Sequence, residues 1–308
     1  MTIRSLQLVT SRQPFFENQL RALERHGMEY DVVRVPPPSE STRGLGEYLR
    51  FYGRILSSVP KHYDVIHANY GLTGPFSLAQ PRRPTVMTFW GSDLMGEFDW
   101  LSKALAPFFD AVVLPSEAMA EMCPVDHVEI PFGIRTDVFS PIDKRRARDE
   151  IGWEQGADIV LFPYSEQNGV KNYPLAQSAI KEVPGSVRLK TISNVPHNRV
   201  PVYMNASDAV LVTSKRESGP QVVKEAALCN VPVVSTNVGF VEEVLGLIEN
   251  CFVADRRSEL AVALERILNG DVGDGGRELA DQWSVNRMGE KLVSLYDRVL
   301  DREVRLSD

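Results

Sequence analysis

Two glutamates, Glu217 and Glu225, are separated by seven residues across the junction between a strand-like run and a helix-like run, a spacing that can do chemistry. The run at 208–213 is apolar and β-branched, the turn Ser214-Lys-Arg-Glu-Ser-Gly-Pro220 is polar, and a helix is expected over 219–228. Ser218 suits a helix cap, Gly219 permits close backbone approach, and Pro220 suits the first helical position. A helix that begins this way leaves its first N–H groups, at Gln221 and Val222, without intrahelical partners, and such groups favour phosphate. Glu217 would reach over the mouth of that site while Glu225, about two turns further on, lines its wall. Carboxylates accept hydrogen bonds from vicinal hydroxyls, so two acids beside a phosphate cradle suit a sugar or ribose better than a bare anion. The same pattern also fits a surface glutamate and a helix glutamate paired with Lys224.

Three other loops follow apolar runs. Lys171, in Asn168-Gly-Val-Lys-Asn172, could hold an anion or simply be solvated. His67, Asn69 and Tyr70 follow the run ending at Ile66; Trp90, Gly91 and Asp93 follow the run ending at Phe89. These six are candidates for contacts to an acceptor or a donor sugar, against the alternative of side chains half-buried at strand ends and satisfied by backbone. Metal chemistry is disfavoured: no Asp-x-Asp occurs, and on a strand His62 and His67 would point to opposite faces. Neither Gly-x-Gly-x-x-Gly after the first strand, nor a phosphate-loop Gly-x4-Gly-Lys-Ser/Thr, nor Gly-x-Ser-x-Gly is present. No resident cofactor or metal is expected.

The elements that must position these residues alternate along the whole chain, the pattern of parallel βα units. Strands are expected near 3–10, 30–35, 63–68, 84–89, 110–114 and 127–131, with helices at 14–26, 43–59, 98–108 and 115–122. Around residues 130–141 the periodicity stops among prolines and a glycine, which marks a domain boundary. A second series follows: strands 158–163, 187–192, 208–213, 231–235 and 248–253, and helices 171–182, 199–206, 219–228, 239–246 and 257–269. A last helix from Ser284 puts Met288, Leu292, Leu295, Tyr296 and Val299 on one face. The reading is α/β: a doubly wound domain over 1–133, another over 134–283, and a closing helix and tail over 284–308 that packs back toward the first.

Composition agrees. The chain has 308 residues, 43% hydrophobic and 24% charged, which is ordinary for globular domains, and a net charge of −7, which argues against a nucleic-acid partner held by bulk positive charge. Three scattered cysteines suggest neither disulfides nor a zinc site, and the first residues lack the features of a signal peptide, so a cytoplasmic protein is expected.

The stretch 217–239 resembles the Glu-x7-Glu signature of glycosyltransferase family 4, whose members are retaining nucleotide-sugar transferases with two Rossmann-like domains facing across a cleft, the GT-B fold. Asp64-Val-Ile-His-Ala-Asn-Tyr-Gly71, Thr88-Phe-Trp-Gly-Ser-Asp-Leu94, Pro115-Ser-Glu-Ala-Met119, Ile130-Pro-Phe-Gly133 and Ala206-Ser-Asp208 resemble family landmarks in the expected order. The resemblance implies that Glu225 binds the donor ribose, Glu217 contacts the transferred sugar, and backbone amides over 219–222 hold the diphosphate. It implies a phosphate-binding role for Lys171, acting with Glu217 and His67 in catalysis, and an acceptor that is a glycan, a lipid-linked sugar or a small molecule. The pattern departs from the family at Trp90, where many members carry histidine, at Arg135, where an acid is common, and before Lys171, where a basic residue is missing. The glycine-rich loop after the first strand is also absent. An inactive sugar-nucleotide-binding partner protein, or a nucleotide-sugar epimerase on the same scaffold, are the other readings.

Residues 1–90 hold eleven Lys/Arg against seven Asp/Glu, so the first domain is the basic one. Its segment 43–56 interleaves Arg43, Arg50 and Arg54 with Leu45, Tyr48, Leu49, Tyr52 and Ile55. That pattern suits either core packing or peripheral contact with an anionic membrane.

Overall fold

The structure is a computed structural model that describes residues 2–38, 43–58, 62–82, 84–217, 219–249, 251–270 and 276–307. The chain divides into two compact units, Met1–Gly133 with Val285–Asp308, and Ile134–Ser284.

In the first unit, β1 (Arg4–Val9), β2 (Glu29–Arg34), β3 (Val65–Asn69), β4 (Thr85–Thr88), β5 (Ala111–Leu114) and β6 (Val128–Glu129) form one parallel sheet in the order β2-β1-β3-β4-β5-β6. Helices cover both faces, and the strands accordingly read as near-continuous apolar runs. The two-residue period of β1 separates its side chains: Leu6 and Leu8 pack with Phe51 and Ile55 of the Leu45–Ser58 helix. On the other face Val9 joins Val65, Phe16, Leu20 and Leu23 of the Pro14–Arg25 helix, and the final helix, Val285–Ser307. Met288, Leu292, Leu295, Tyr296 and Val299 are all buried in that cluster. At about 1.5–3 kcal/mol for each large apolar side chain buried, this face fixes the helix far more firmly than local propensity could.

In the second unit, β7 (Asp158–Phe162), β8 (Val187–Thr191), β9 (Ala209–Val212), β10 (Val233–Ser235) and β11 (Phe252–Val253) form a parallel sheet ordered β11-β10-β9-β7-β8. The order reverses beside β7, and it is at such switch points, off the carboxyl ends of the strands, that ligands gather in open α/β sheets.

The strands fall within a few residues of their predicted places, and the helices depart in instructive ways. Residues 115–122 make only a 3-10 turn, Glu117–Met122, and the strand expected over 248–253 shortens to Phe252–Val253. The Lys144–Ile151 helix was not expected; Asp143 caps it, its carboxylate accepting the Arg146 N–H at 2.9 Å. The helix expected over 219–228 runs Gln221–Leu228, with Pro220 outside it in the N-cap position rather than as its first residue. Ser218, the expected cap, lies outside the described residues. Among the described residues no helix is long and apolar enough to cross a membrane.

Candidate functional site

The loops after β7 and β9 are stitched together. The Lys215 N–H donates to the Val170 carbonyl at 2.9 Å, and the Thr213 hydroxyl lies 3.1 Å from the carbonyl oxygens of both Lys171 and Asn172. Asn172 takes a left-handed conformation (φ 57°), which turns the chain into the Tyr173–Ile180 helix and leaves Lys171 in the loop that follows β7. There the Lys171 ammonium makes an ion pair with Glu217 Oε1, which also accepts from Ser214 Oγ at 2.9 Å. Both side chains are about one-sixth exposed (17% and 16%), so the pair is sheltered yet within reach of a ligand. The Tyr164 ring lies under the same ammonium, 4.1 Å from Nζ to the centroid. Burial, and then the carboxylates of Glu217 and Glu225, push the Tyr164 phenol well above its ordinary range, so it stays protonated.

Residues 218–220 separate Glu217 from the Gln221–Leu228 helix, Gly219 and Pro220 among them. Gly219 has φ +151°, and a Cβ there would sit 2.0 Å from atoms of the Phe240 ring. Only glycine fits under that ring, two residues before the helix begins. The N–H groups of Gln221 and Val222 open the helix, and Val223 N–H turns back to the Pro220 carbonyl at 3.1 Å. Within the helix Glu225 is buried, 7% exposed, and its Oε1 lies 2.8 Å from His197 Nε2. Its neighbour Lys224 is also buried and places its ammonium 4.2 Å from the centroid of Phe240.

Of the predicted donor-side residues, Lys171, Glu217, Gly219, Pro220, Gln221, Val222 and Glu225 therefore come together around one helix start. His197 and Tyr164 are additions that sequence reading missed. His197 sits in the 3-10 turn His197–Arg199 after β8, and the rule that loops after parallel strands collect functional groups could have found it.

The first unit corrects several expectations. His67 is fully buried on β3, with Nδ1 2.6 Å from Tyr296 Oη and Nε2 2.7 Å from Thr88 Oγ1. Burial pushes its pKa down to about 3, so the ring is neutral, and both nitrogens are engaged by protein hydroxyls. A catalytic His67 is replaced by a structural one. Asn69, also fully buried, donates to Gln7 Oε1 at 3.0 Å and accepts from Gln19 Nε2 at 2.9 Å. Gln7 Nε2 completes the network by donating to Tyr296 Oη at 3.0 Å.

Asp93 is buried too. Its carboxylate accepts the N–H groups of Gly71 (2.8 Å), Trp90 (2.9 Å) and Gly91 (2.8 Å), so it shapes the loops after β3 and β4 rather than meeting a substrate. Burial pushes its pKa up to about 6 against the downward pull of those amides. Trp90 is 8% exposed and packs edge-on to Phe15, with centroids 4.7 Å apart. Gly91 is buried at φ +101°. Of the six candidates on this unit, Tyr70 alone remains half-buried, held at φ +84°.

Residues 169–287 match the family model described as glycosyl transferases group 1, a stretch that begins just before Lys171 and spans the entire Glu217 to Glu225 junction. TuaC of Bacillus subtilis (strain 168), a glycosyltransferase assigned to teichuronic acid biosynthesis, is 24% identical over 82% of this chain and 78% of its own length. Among solved structures, sucrose-phosphate synthase from Thermosynechococcus elongatus superposes with a TM-score of 0.82 at 18% identity, covering 97% of this chain and 100% of that one. HepE from Anabaena, solved in complex with UDP-glucose, superposes with a TM-score of 0.78 at 18% identity, over 96% and 100%. These neighbours share the two-sheet α/β architecture of GT-B glycosyltransferases. With residues 169–287 matching the model of glycosyl transferases group 1 on this fold, the chain is a glycosyltransferase.

Proposed function

We propose that the enzyme transfers a sugar from a nucleotide-sugar donor, with retention of configuration and without a metal ion, as in glycosyltransferase family 4. The observation that carries this is the convergence of Lys171, Glu217 and Glu225 on the start of the Gln221–Leu228 helix at the β7/β9 switch point. In this reading the donor diphosphate lies on the amides of Gln221 and Val222 and draws Lys171 from Glu217. Glu217, freed, turns to the sugar hydroxyls, and Glu225 accepts from the ribose.

Sugar transfer passes through an oxocarbenium-like state, so charge must be absorbed on the departing diphosphate. Lys171 and the helix amides bring that positive charge, the task a divalent ion performs elsewhere. A leaving diphosphate held there can itself take the acceptor's proton on the face it vacates, which suits retention. The likeness of the fold to HepE, a protein solved with UDP-glucose, supports a nucleotide-sugar donor, and a cytoplasmic site of action fits such a substrate.

Incubation with a panel of nucleotide sugars, with and without EDTA, reads the reaction as nucleoside diphosphate release, and proton NMR of the product reads its anomeric configuration. Turnover that survives EDTA with retained configuration is expected. Failure of every donor to bind or react, with Glu225→Ala indistinguishable from wild type, contradicts the proposal. Binding without turnover would instead favour a partner protein, and a changed sugar without acceptor an epimerase.

A second reading concerns the acceptor. On the Leu45–Ser58 helix Phe51 and Ile55 pack into the core, yet Leu45, Leu49 and Leu56 are 75%, 59% and 44% exposed, beside the exposed Arg50 and Arg54. An outward apolar stripe flanked by arginines suits an anionic membrane surface, and with it a lipid-linked acceptor. Sedimentation with anionic liposomes, expected to be lost in Leu45→Glu/Leu49→Glu, tests this; no dependence on anionic lipid contradicts it.

A further inference from the structure

Resting on the donor reading above, we infer that His197 is a positioning residue that sets the enzyme's preference for donors bearing a ribose diol. The carboxylate of Glu225, a residue that is 7% exposed, must be satisfied, because an unpaired buried charge is expensive. Among the described residues, His197 Nε2 at 2.8 Å is the side-chain group that meets it, and it meets only Oε1. An ionised carboxylate has about four acceptor positions, so Glu225 keeps accepting capacity on Oε2 for a ligand's hydroxyls.

His197 is itself held in place. Its ring tilts against Phe139, with centroids 5.1 Å apart, and Phe139 is fully buried and anchored, its carbonyl accepting from Arg277 Nη1 at 2.8 Å. The turn that carries His197 is fixed by the Arg199 N–H donating to Pro196 O at 2.8 Å and, just before it, by Asn194 in the left-handed region. A rigid imidazole thus clamps one oxygen of Glu225 and orients the other. The His197 side chain is about a third exposed (36%), while that of Glu225 is 10% exposed, so the histidine stands on the solvent side of the acid.

Pre-organisation of this kind makes a defined test possible. With one carboxylate rotamer fixed, both ribose hydroxyls meet acceptors already in place; without it, Glu225 must be ordered by the ligand. Loss of His197 should therefore weaken ligands that have the diol and spare those that lack it. A role confined to fold stability would weaken both alike.

The experiment is calorimetric titration of the full chain with ADP, GDP and UDP and with their 2′,3′-dideoxy counterparts. For the best-bound base, His197→Ala is expected to raise Kd about tenfold for the ribonucleotide and less than about twofold for the dideoxynucleotide. His197→Gln, whose amide nitrogen can occupy the place of Nε2, should recover most of the difference. Equal weakening of both ligands, or unchanged discrimination in His197→Ala, overturns this inference alone. A wild-type chain that binds none of the nucleotides overturns the donor reading, and this inference with it.

Discussion

Polar residues follow the parallel strands in both units, yet the two sheets employ them oppositely. On β3 and after β4, His67, Asn69 and Asp93 are buried, and their hydrogen-bonding groups meet partners from the same unit. After β7 and β9, Lys171 and Glu217 remain reachable and pair with each other, and Glu225, though buried, meets a side chain among the described residues only through Oε1. The lesson is that location at a strand's carboxyl end does not by itself make a site. What counts is whether binding capacity survives the fold: a saturated network stabilises, while a pair of opposite charges that a ligand can divide between its own groups binds.

The largest test of that contrast is Lys171→Ala, which removes the cation expected to absorb leaving-group charge. Turnover with the best donor should fall by about 10²–10³-fold, read as nucleoside diphosphate release, with the thermal midpoint little changed. His67→Ala should do the reverse. Breaking a buried network costs about 2–4 kcal/mol, so urea denaturation should show marked destabilisation while the affinity for nucleoside diphosphate is kept. If His67→Ala loses affinity and Lys171→Ala loses stability, the contrast is wrong.

Gly219→Ala comes next. A Cβ 2.0 Å from the Phe240 ring, at a φ that L-residues rarely adopt, must displace the helix start, at a cost of about 1–3 kcal/mol. Donor affinity should fall, and Gly219→Ala/Phe240→Leu should recover part of it by making room. Full activity in Gly219→Ala would show that the close approach is dispensable.

The pH dependence of stability sharpens the comparison further. His67 is held down at about 3, whereas in the unfolded chain a histidine titrates near 6.5. Between those values the unfolded state binds the extra proton, so stability is full above about pH 6.5 and declines as pH falls toward 3. Asp93, pushed up to about 6, has the opposite sign: its contribution is present at low pH and is lost as pH rises through about 6. Urea titrations at pH 7 and pH 4.5 should show a smaller loss on acidification in His67→Asn than in wild type, and a larger loss in Asp93→Asn. The smallest effect is expected at Tyr164. Tyr164→Leu removes a cation–π contact worth about 0.5–1 kcal/mol, which a few-fold rise in donor KM would report.

Much of this was legible in the sequence because strand positions follow from β-branched apolar runs, and the buried face of the final helix from its spacing. The grouping of Glu217, Gly219 and Glu225 was legible for a related reason: they lie on one continuous junction, so local chemistry describes them together. His67 was misread because its partners Tyr296 and Thr88 come from distant parts of the chain, and burial is a property of the assembled sheet. His197 was missed for the same reason in mirror image, since nothing local to Pro196-His-Asn-Arg199 announces that Glu225 stands 2.8 Å away. The Lys144–Ile151 helix was overlooked because its charge-dense sequence offers only Ala147 and Ile151 as an apolar signal, although the Asp143 cap was there to be read.

Titration of the wild-type chain and the Lys171→Ala/Glu225→Ala variant with ADP, GDP and UDP, with circular dichroism to verify that both are folded, addresses the central claim most directly. Saturable binding of at least one nucleotide by the wild type, reduced by about a hundredfold or more in the folded variant, is the predicted result. Equal affinities in the two proteins would contradict it and move the donor site elsewhere.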